Sequence, residues 1–207
     1  MHVLLDHLAA VIAGSIAALL LLGTVARSSQ EDQRMTALAV AKDQAIEFST
    51  WLEEDLSTVG MGLPEGDTRV SSFTFDTCNG VDCTMAFTFT RRSYDTRTTP
   101  ATPQDHDIRL VLSATTTVTE EDGSTTQLYE VRRSERINGG AWANAGASPA
   151  SLSHFLVQLQ DETGTPTEVE EDARFVEVAF TLVPPLLRDE VLLPELNWSA
   201  VFRIHPV

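Results

Sequence analysis

Lysine is almost absent from this chain: Lys42 is the only one among 207 residues, and every other cationic side chain except five histidines is an arginine. Positive charge is scarce altogether, because 14 lysines and arginines face 30 aspartates and glutamates, which gives a formal net charge of −16 at pH 7. A surface this acidic repels phosphate backbones, so we expect no binding of nucleic acid through the body of the protein. The segment before Arg27 contains no lysine or arginine, so flanking charge does not fix its orientation across a membrane.

Cysteine is nearly as rare: Cys78 and Cys83 are the only two, and they lie in the string TCNGVDC. Asn79-Gly80 is a turn dipeptide, and a tight turn there brings the two sulfurs together. The spacing is wider than a C-x-x-C redox motif, and no further ligands stand close enough to complete a zinc site. We therefore expect a small structural disulfide, with two free thiols as the alternative. A disulfide would place the body of the protein outside the cytoplasm.

Catalytic patterns are missing as well. No Gly-rich phosphate loop follows a predicted strand, and no H-E-x-x-H motif occurs. The string Asp161-Glu-Thr-Gly is similar to an aspartic-protease motif, but it falls at a predicted hairpin turn and has no second copy. Ser153 and His154 are neighbours on a predicted strand, so they point to opposite faces. We predict no enzyme, no catalytic residue, no cofactor and no small-molecule substrate.

Two acidic loops, 120–122 and 168–172, offer the carboxylate oxygens that Ca²⁺ prefers. Their spacing fits no EF-hand, so a solvated charge cluster is the favoured interpretation and we predict no metal site. Ca²⁺ binding stays open as the alternative.

One long apolar run is present, from Leu8 to Ala26, with no charged residue between His7 and Arg27. Its length suits one bilayer crossing, which takes about 20 apolar residues as a helix. A cleavable signal peptide is the alternative, but such a segment has a basic start and a shorter apolar core. We predict a membrane-inserted helix with its N terminus inside, a placement that depends on the expected disulfide.

A helical pattern continues beyond the apolar run. Apolar residues recur three or four positions apart, which is the stripe of an amphipathic helix: Met35, Leu38, Ala41, Ala45, Phe48, Leu52, Leu56 and Val59. Gly60 and Gly62 end this helix, and Pro64 prevents its resumption. If it is unbroken from His2 to Val59, the helix is about 85 Å long at 1.5 Å per residue.

The remainder alternates apolar and polar residues in about seven short segments joined by turns, which predicts an antiparallel sheet. These strands are predicted at 70–75, 85–90, 108–118, 126–131, 155–160, 174–182 and 197–204. Residues 91–107 and 137–149 are predicted as exposed loops, and the second carries Trp142 as its one bulky side chain. Trp142 either contacts a ligand or partner or folds back onto the body.

These patterns divide the chain into three segments. Residues 1–27 form a transmembrane or filament-core helix, 28–62 continue it as an amphipathic helix, and 63–207 form an extracytoplasmic β domain. The predicted fold class is α+β, with the long N-terminal helix packed on an antiparallel sheet. Asp6 is the odd charge, because a carboxylate near lipid is costly unless it is partnered or reaches the interface. It is either a functional residue or a member of the headgroup layer.

An apolar N-terminal helix, its amphipathic continuation and an antiparallel sheet together resemble a type IV pilin or pseudopilin. More particular strings resemble minor pilins of the W type and minor pseudopilins of the J type. They are the helix end Phe48-x-x-x-Leu52-x-x-Asp55-Leu56-x-x-x-Gly60, the run FLVQLQDETG at 155–164 and the strand RFVEVAFTL at 174–182. In that family the apolar helix packs into a filament core, and an acidic residue near the mature N terminus pairs with a neighbouring subunit's α-amine. The resemblance implies this assembly role for Asp6, which would be the fifth residue of a chain beginning at His2.

The resemblance implies a structural minor subunit of a type IV pilus or a type II secretion-like pseudopilus. The subunit would sit in the inner (cytoplasmic) membrane with its body outside, and later in an extracellular or periplasmic filament. Its partners would be other pilin-like subunits in a hetero-oligomeric filament. The alternative function is a single-pass, membrane-anchored, adhesin-like module that binds a ligand through the loops 91–107 and 137–149.

Overall fold

The computed structural model describes residues 2–97, 99–119, 123–184 and 195–205, with side chains from Val11 onward. Its described part is an α+β fold in which one long N-terminal helix packs on an antiparallel sheet of eight strands. The elements are α1 His2–Leu56, β1 Val70–Cys78, β2 Val81–Asp95, β3 Thr102–Thr119, β4 Thr125–Ile137, β5 Ala143–Ala147, β6 Leu152–Gln160, β7 Phe175–Leu182 and β8 Leu196–Arg203, with a 3₁₀ turn Glu170–Asp172 before β7.

The helix α1 is unbroken over 55 residues, which makes it about 83 Å long at 1.5 Å per residue. This confirms the predicted continuity, although α1 ends three residues before the expected Val59. The chain then turns through Gly60 and Gly62, both in the left-handed region with φ of 75° and 73°. A Cβ on Gly62 would lie 2.8 Å from the carbonyl oxygen of Arg92, because the Arg92 N–H donates to the Met61 carbonyl at 2.7 Å. The end of the helix is thereby joined to β2.

The sheet-facing side of α1 follows the predicted stripe from Leu38 onward. Its buried members on the helix include Ala41, Phe48, Leu52 and Leu56. The prediction for Met35 is wrong, since its side chain is 61% exposed. Burial on α1 begins only at Ala37, so Met35 precedes the part of the helix that the sheet covers.

The sheet has the order β1-β2-β3-β4-β6-β7-β8, and β5 pairs with β4 beside this path. The strands β4 and β6 meet at a single described pair, Tyr129 with Leu152, so the sheet consists of two portions. The hydroxyl of Thr84 on β2 joins them a second time: it donates to the Val157 carbonyl of β6 at 3.0 Å and accepts from the Val157 N–H at 2.8 Å. The two portions and α1 enclose one continuous core.

Strand alternation fills that core as the sequence predicts. Every second residue of β7 is buried, and the same alternation holds over residues 108–112 of β3. The buried side chains are Val176, Val178, Phe180 and Leu182 on β7 and Ile108, Leu110 and Leu112 on β3. Each fully buried aliphatic or aromatic side chain stabilises the fold by about 1.5–3 kcal/mol relative to an exposed one.

Both predicted loops are wrong in part. Strand β2 continues to Asp95 and β3 begins at Thr102, so most of 91–107 is a hairpin extension. Its threonines, prolines and charges resemble a loop in sequence, yet its opposite charges pair across the strands: Arg92 bonds to Asp105 at 2.5 Å. Segment 137–149 contains β5, whose small residues pair with β4.

Candidate assembly interface

The first half of α1 is exposed wherever its side chains are described: every residue from 11 to 33 has an exposed side chain. The consecutive residues Leu19, Leu20, Leu21 and Leu22 are each 66–69% exposed. The described part of α1 is long and apolar enough to cross a membrane. A contiguous apolar surface of this size marks a membrane or protein interaction site on a soluble domain. This exposed apolar part of α1 is therefore the candidate interaction surface of the chain.

Asp6, the predicted assembly residue, lies within helix α1. Its side chain is outside the described part of the structure, which starts with the side chain of Val11. The assembly role of Asp6 stays a prediction.

Aromatic rings attach the second half of α1 to β6, β7 and β8. The ring of Phe48 lies with its centroid 4.9 Å from that of Phe180 on β7 and 6.4 Å from that of Phe155 on β6. Trp51 packs beside Phe48 at 5.3 Å, and Trp198 of β8 stacks on Phe180 at 5.1 Å. Aromatic pairs at such separations stabilise by about 0.5–1.5 kcal/mol beyond the area they bury.

A buried ion pair attaches the end of α1 to the other portion of the sheet. The Arg133 guanidinium of β4 donates twice to the Asp55 carboxylate, from Nε to Oδ2 at 2.6 Å and from Nη2 to Oδ1 at 3.0 Å. The side chains are 9% and 6% exposed. Two parallel bonds of this kind fix geometry as well as charge. They set the position of α1 relative to β4.

The ion pair continues as a network across the strands. Arg133 Nη1 donates to Glu135 at 3.1 Å, and the other oxygen of Glu135 lies 2.8 Å from His106 Nδ1 on β3. His106 Nε2 is in turn 2.8 Å from the Ser93 hydroxyl on β2. The network therefore links α1, β4, β3 and β2 through buried or half-buried polar atoms.

The network shifts two ionisation equilibria. Burial acts against the charge of Arg133, but the hydrogen bonds and attraction from Asp55 and Glu135 outweigh it and raise the pKa of Arg133. Burial likewise acts against a charged Glu135, yet the hydrogen bonds to His106 and Arg133 lower the pKa of Glu135 below its ordinary value. The fold thus favours the charged forms of Arg133 and Glu135.

Sequence reasoning missed this network, although one signal was present. Asp55 lies three residues after Leu52 and immediately before Leu56, inside the apolar stripe that faces the sheet. An acidic residue on a buried stripe requires a cationic partner. The partner is Arg133, which stands two residues after the buried Val131 on the inward face of β4.

The predicted disulfide between Cys78 and Cys83 is confirmed, with Cα atoms 5.6 Å apart across the β1–β2 turn. The turn residues Asn79 and Gly80 have positive φ, as expected for this dipeptide. The Asn79 side-chain amide donates to the carbonyl oxygen of Ser153 on β6 at 2.9 Å. The disulfide therefore closes a hairpin tip that is held against the second portion of the sheet.

Trp142 folds back onto β4 and keeps 37% of its surface exposed. The guanidinium of Arg136 lies over the indole ring at 4.6 Å from its centroid, within the distance of a cation–π contact. Arg136 is itself fixed by a 2.6 Å hydrogen bond from its Nε to Asp107. Whether Trp142 also contacts a partner stays a prediction.

The remaining sequence motifs serve the fold. The Asp161 carboxylate accepts hydrogen bonds from the Thr163 hydroxyl and from the Thr165 N–H, which lower the pKa of Asp161 and close the turn after β6. His154 Nε2 contacts the Asp82 carbonyl at 2.9 Å. Glu170 of the acidic loop accepts hydrogen bonds from the backbone N–H groups of Arg69, just before β1, and Val70, its first residue. Within the described residues, no three His, Cys, Asp or Glu side chains form a metal-binding group, and the loop 120–122 lies outside them.

Comparison with known proteins adds no relative: no family model, no curated protein and no solved structure matches the chain.

Proposed function

We propose that this chain is a pilin-like minor subunit, which enters a membrane through the first half of α1 and is then packed by that half into a type IV pilus or type II secretion-like pseudopilus. One observation carries the proposal: α1 is a single helix with an exposed half, 11–33, that is apolar as far as Ala26, and a second half fixed to the body. A simple membrane anchor works equally well through a flexible linker. A filament subunit needs the rigid connection, because helix packing must determine where each body sits.

In this proposal the body has no catalytic role, and its contacts with α1 fix how it is placed relative to the helix. The ring contacts of Phe48 and the ion pair of Asp55 with Arg133 attach α1 to both portions of the sheet. The partners are other pilin-like subunits. The disulfide supports a body outside the cytoplasm, since such bonds persist in oxidising compartments. The subunit would start in the inner membrane and end in an extracellular or periplasmic filament.

The adhesin-like anchor is the second candidate function, and a groove favours it. The groove encloses about 330 Å³ between α1 and the segment after Asn144, with Phe48, Trp51 and Glu47 on the helix side. Of the two contact loops predicted for this function, 91–107 is mostly strand and 137–149 contains β5, so neither keeps its predicted form throughout. The two functions differ at the first half of α1, which an anchor uses only for its apolarity.

The test is incorporation into filaments sheared from the cell surface, measured by immunoblot beside the membrane-inserted pool. We expect Asp6→Ala to insert normally and to lose incorporation, while Asp32→Ala, a matched change at an exposed carboxylate of the same helix, keeps it. Replacement of residues 8–26 by an unrelated apolar 20-mer should also block incorporation. A replaced segment that supports full function would favour the anchor and contradict the filament role.

A further inference from the structure

The outer side of α1, away from the sheet, carries an 11-residue repeat. Eight exposed residues line it at spacings of three or four: Ser28, Glu31, Met35, Ala39, Lys42, Ile46, Thr50 and Glu53. Eleven residues complete about three turns of an α-helix, so positions 11 apart lie on the same face. We call this set the outer face.

The outer face is complementary to itself after a shift of 11 residues. In a parallel second helix shifted by that amount, Met35 of one copy meets Ile46 of the other, so apolar lies on apolar. Glu31 meets Lys42, and Lys42 meets Glu53, so both charge contacts are attractive. The three other positions, Ser28, Ala39 and Thr50, place small side chains against each other and let the helices approach.

Other registers do not give this match. An unshifted parallel pair places Glu31 on Glu31, Lys42 on Lys42 and Glu53 on Glu53, so each charge meets its like. Shifts of four or seven residues place Lys42 against Met35, Ile46 or neutral positions instead of a carboxylate. Among parallel arrangements, the self-complementarity therefore specifies one register as well as one face.

Two of the three charges of the outer face, Lys42 and Glu53, are also unpaired among the described residues, whereas Glu31 has Arg27 four positions before it and Arg34 three positions after it. The residues three and four positions from Lys42 are leucine, alanine and isoleucine, and none carries a carboxylate. Those around Glu53 carry no positive charge. Within the described residues neither side chain forms an ion pair. The single lysine of the chain lies between two exposed apolar side chains of this face, Met35 at 61% and Ile46 at 64% exposure.

We propose that the outer face docks a second copy of this chain in parallel, displaced along the helix axis by 11 residues, or about 16.5 Å. This inference rests on the proposed function, because the same helix continues into the apolar half that enters the filament. It adds a homotypic contact: the subunit would enter the filament beside another copy rather than singly. The displaced arrangement leaves both bodies free, since each sheet covers the opposite side of its helix.

The sole lysine makes the register directly measurable. A carbodiimide joins an amine to a carboxylate that touches it, and the only other amine of the chain is the α-amino group. Full-length chains labelled with ¹⁴N and ¹⁵N are mixed in detergent micelles and cross-linked, and the sites are read by mass spectrometry. We expect amide bonds from Lys42 of one label to Glu53 and Glu31 of the other. Lys42→Arg, the matched control, should keep the dimer and lose the amide.

Charge exchange gives a second readout. Lys42→Glu makes both contacts repulsive and should weaken dimerisation about tenfold. The triple variant Glu31→Lys, Lys42→Glu, Glu53→Lys reverses every charge and should restore it. Amide bonds to other carboxylates, a dimer that Lys42→Glu does not weaken, or the absence of any dimer would each overturn the docking proposal. Failure of the filament role is seen separately, as an Asp6→Ala variant that is incorporated normally.

Discussion

Arg133→Met tests the claim that the ion pair with Asp55 fixes α1 on the sheet. The substitution keeps most of the side-chain volume but leaves the Asp55 carboxylate, 6% exposed, without its two hydrogen bonds. Removal of one partner from a buried pair costs about 3–5 kcal/mol. For a chain of this length the loss lowers the melting temperature by roughly 6–20 °C. Asp55→Asn should cost less, about 1.5–3 kcal/mol, because Arg133 keeps its bond to Glu135.

The matched control is Arg132→Met on the same strand, where the side chain is 65% exposed and its guanidinium pairs with Glu130. A surface pair contributes about 0–1 kcal/mol, so this control should melt close to the unchanged protein. The assay is thermal unfolding of the full chain in detergent, with hydrogen exchange of α1 as a local readout. Equal melting temperatures for Arg133→Met and Arg132→Met would refute the structural role of the pair.

Three further predictions concern pH, the disulfide and a glycine. Because the pKa of Glu135 is lowered in the folded state, the ionised side chain stabilises the fold fully above the unfolded pKa of about 4.3, and this stabilisation is lost as pH falls through the folded pKa. Thermal unfolding should therefore show Glu135→Gln most destabilised near neutral pH and nearly equal to the unchanged protein in acid. A pH-independent difference between the two proteins would contradict this. Reduction of the Cys78–Cys83 disulfide removes a loop constraint that stabilises the fold by about 2 kcal/mol. It should lower the urea midpoint without unfolding the body, whereas loss of the folded state in native buffer would contradict a minor structural role. Gly62→Ala should destabilise the protein more than Gly80→Ala. Both glycines have a positive φ, so both substitutions add about 1 kcal/mol of backbone strain, but only a Cβ at position 62 also clashes with the Arg92 carbonyl, since a Cβ at position 80 meets nothing within 4 Å. Equal urea midpoints for the two variants would refute this prediction.

Local pattern was sufficient for the helix and most strands. The continuous α1, the hairpin at Asn79-Gly80 and the alternation of β3 and β7 each follow from spacing that a short window contains. The prediction that Met35 packs on the sheet was wrong because the apolar stripe on the helix extends further than the sheet that covers it. A stripe gives the face of a helix, but the length covered depends on the size of the tertiary partner.

The charged hairpin and the buried network were beyond such reasoning because their causes are distant in sequence. Most of segment 91–107 is strand, and its charges pair across neighbouring strands, Arg92 with Asp105 and Arg136 with Asp107. The partner of Asp55 is 78 residues away. Composition identifies residues that need a partner, and only the fold shows which partner they have.

The central claim is that the first half of α1 exchanges lipid for other helices. Its most direct test is a photo-reactive amino acid at Leu20, which is 67% exposed in the apolar half, irradiated in filaments sheared from cells. We expect cross-links from position 20 to the helix of another pilin-like subunit. Cross-links to lipid alone, with the chain confined to the membrane fraction, would contradict it.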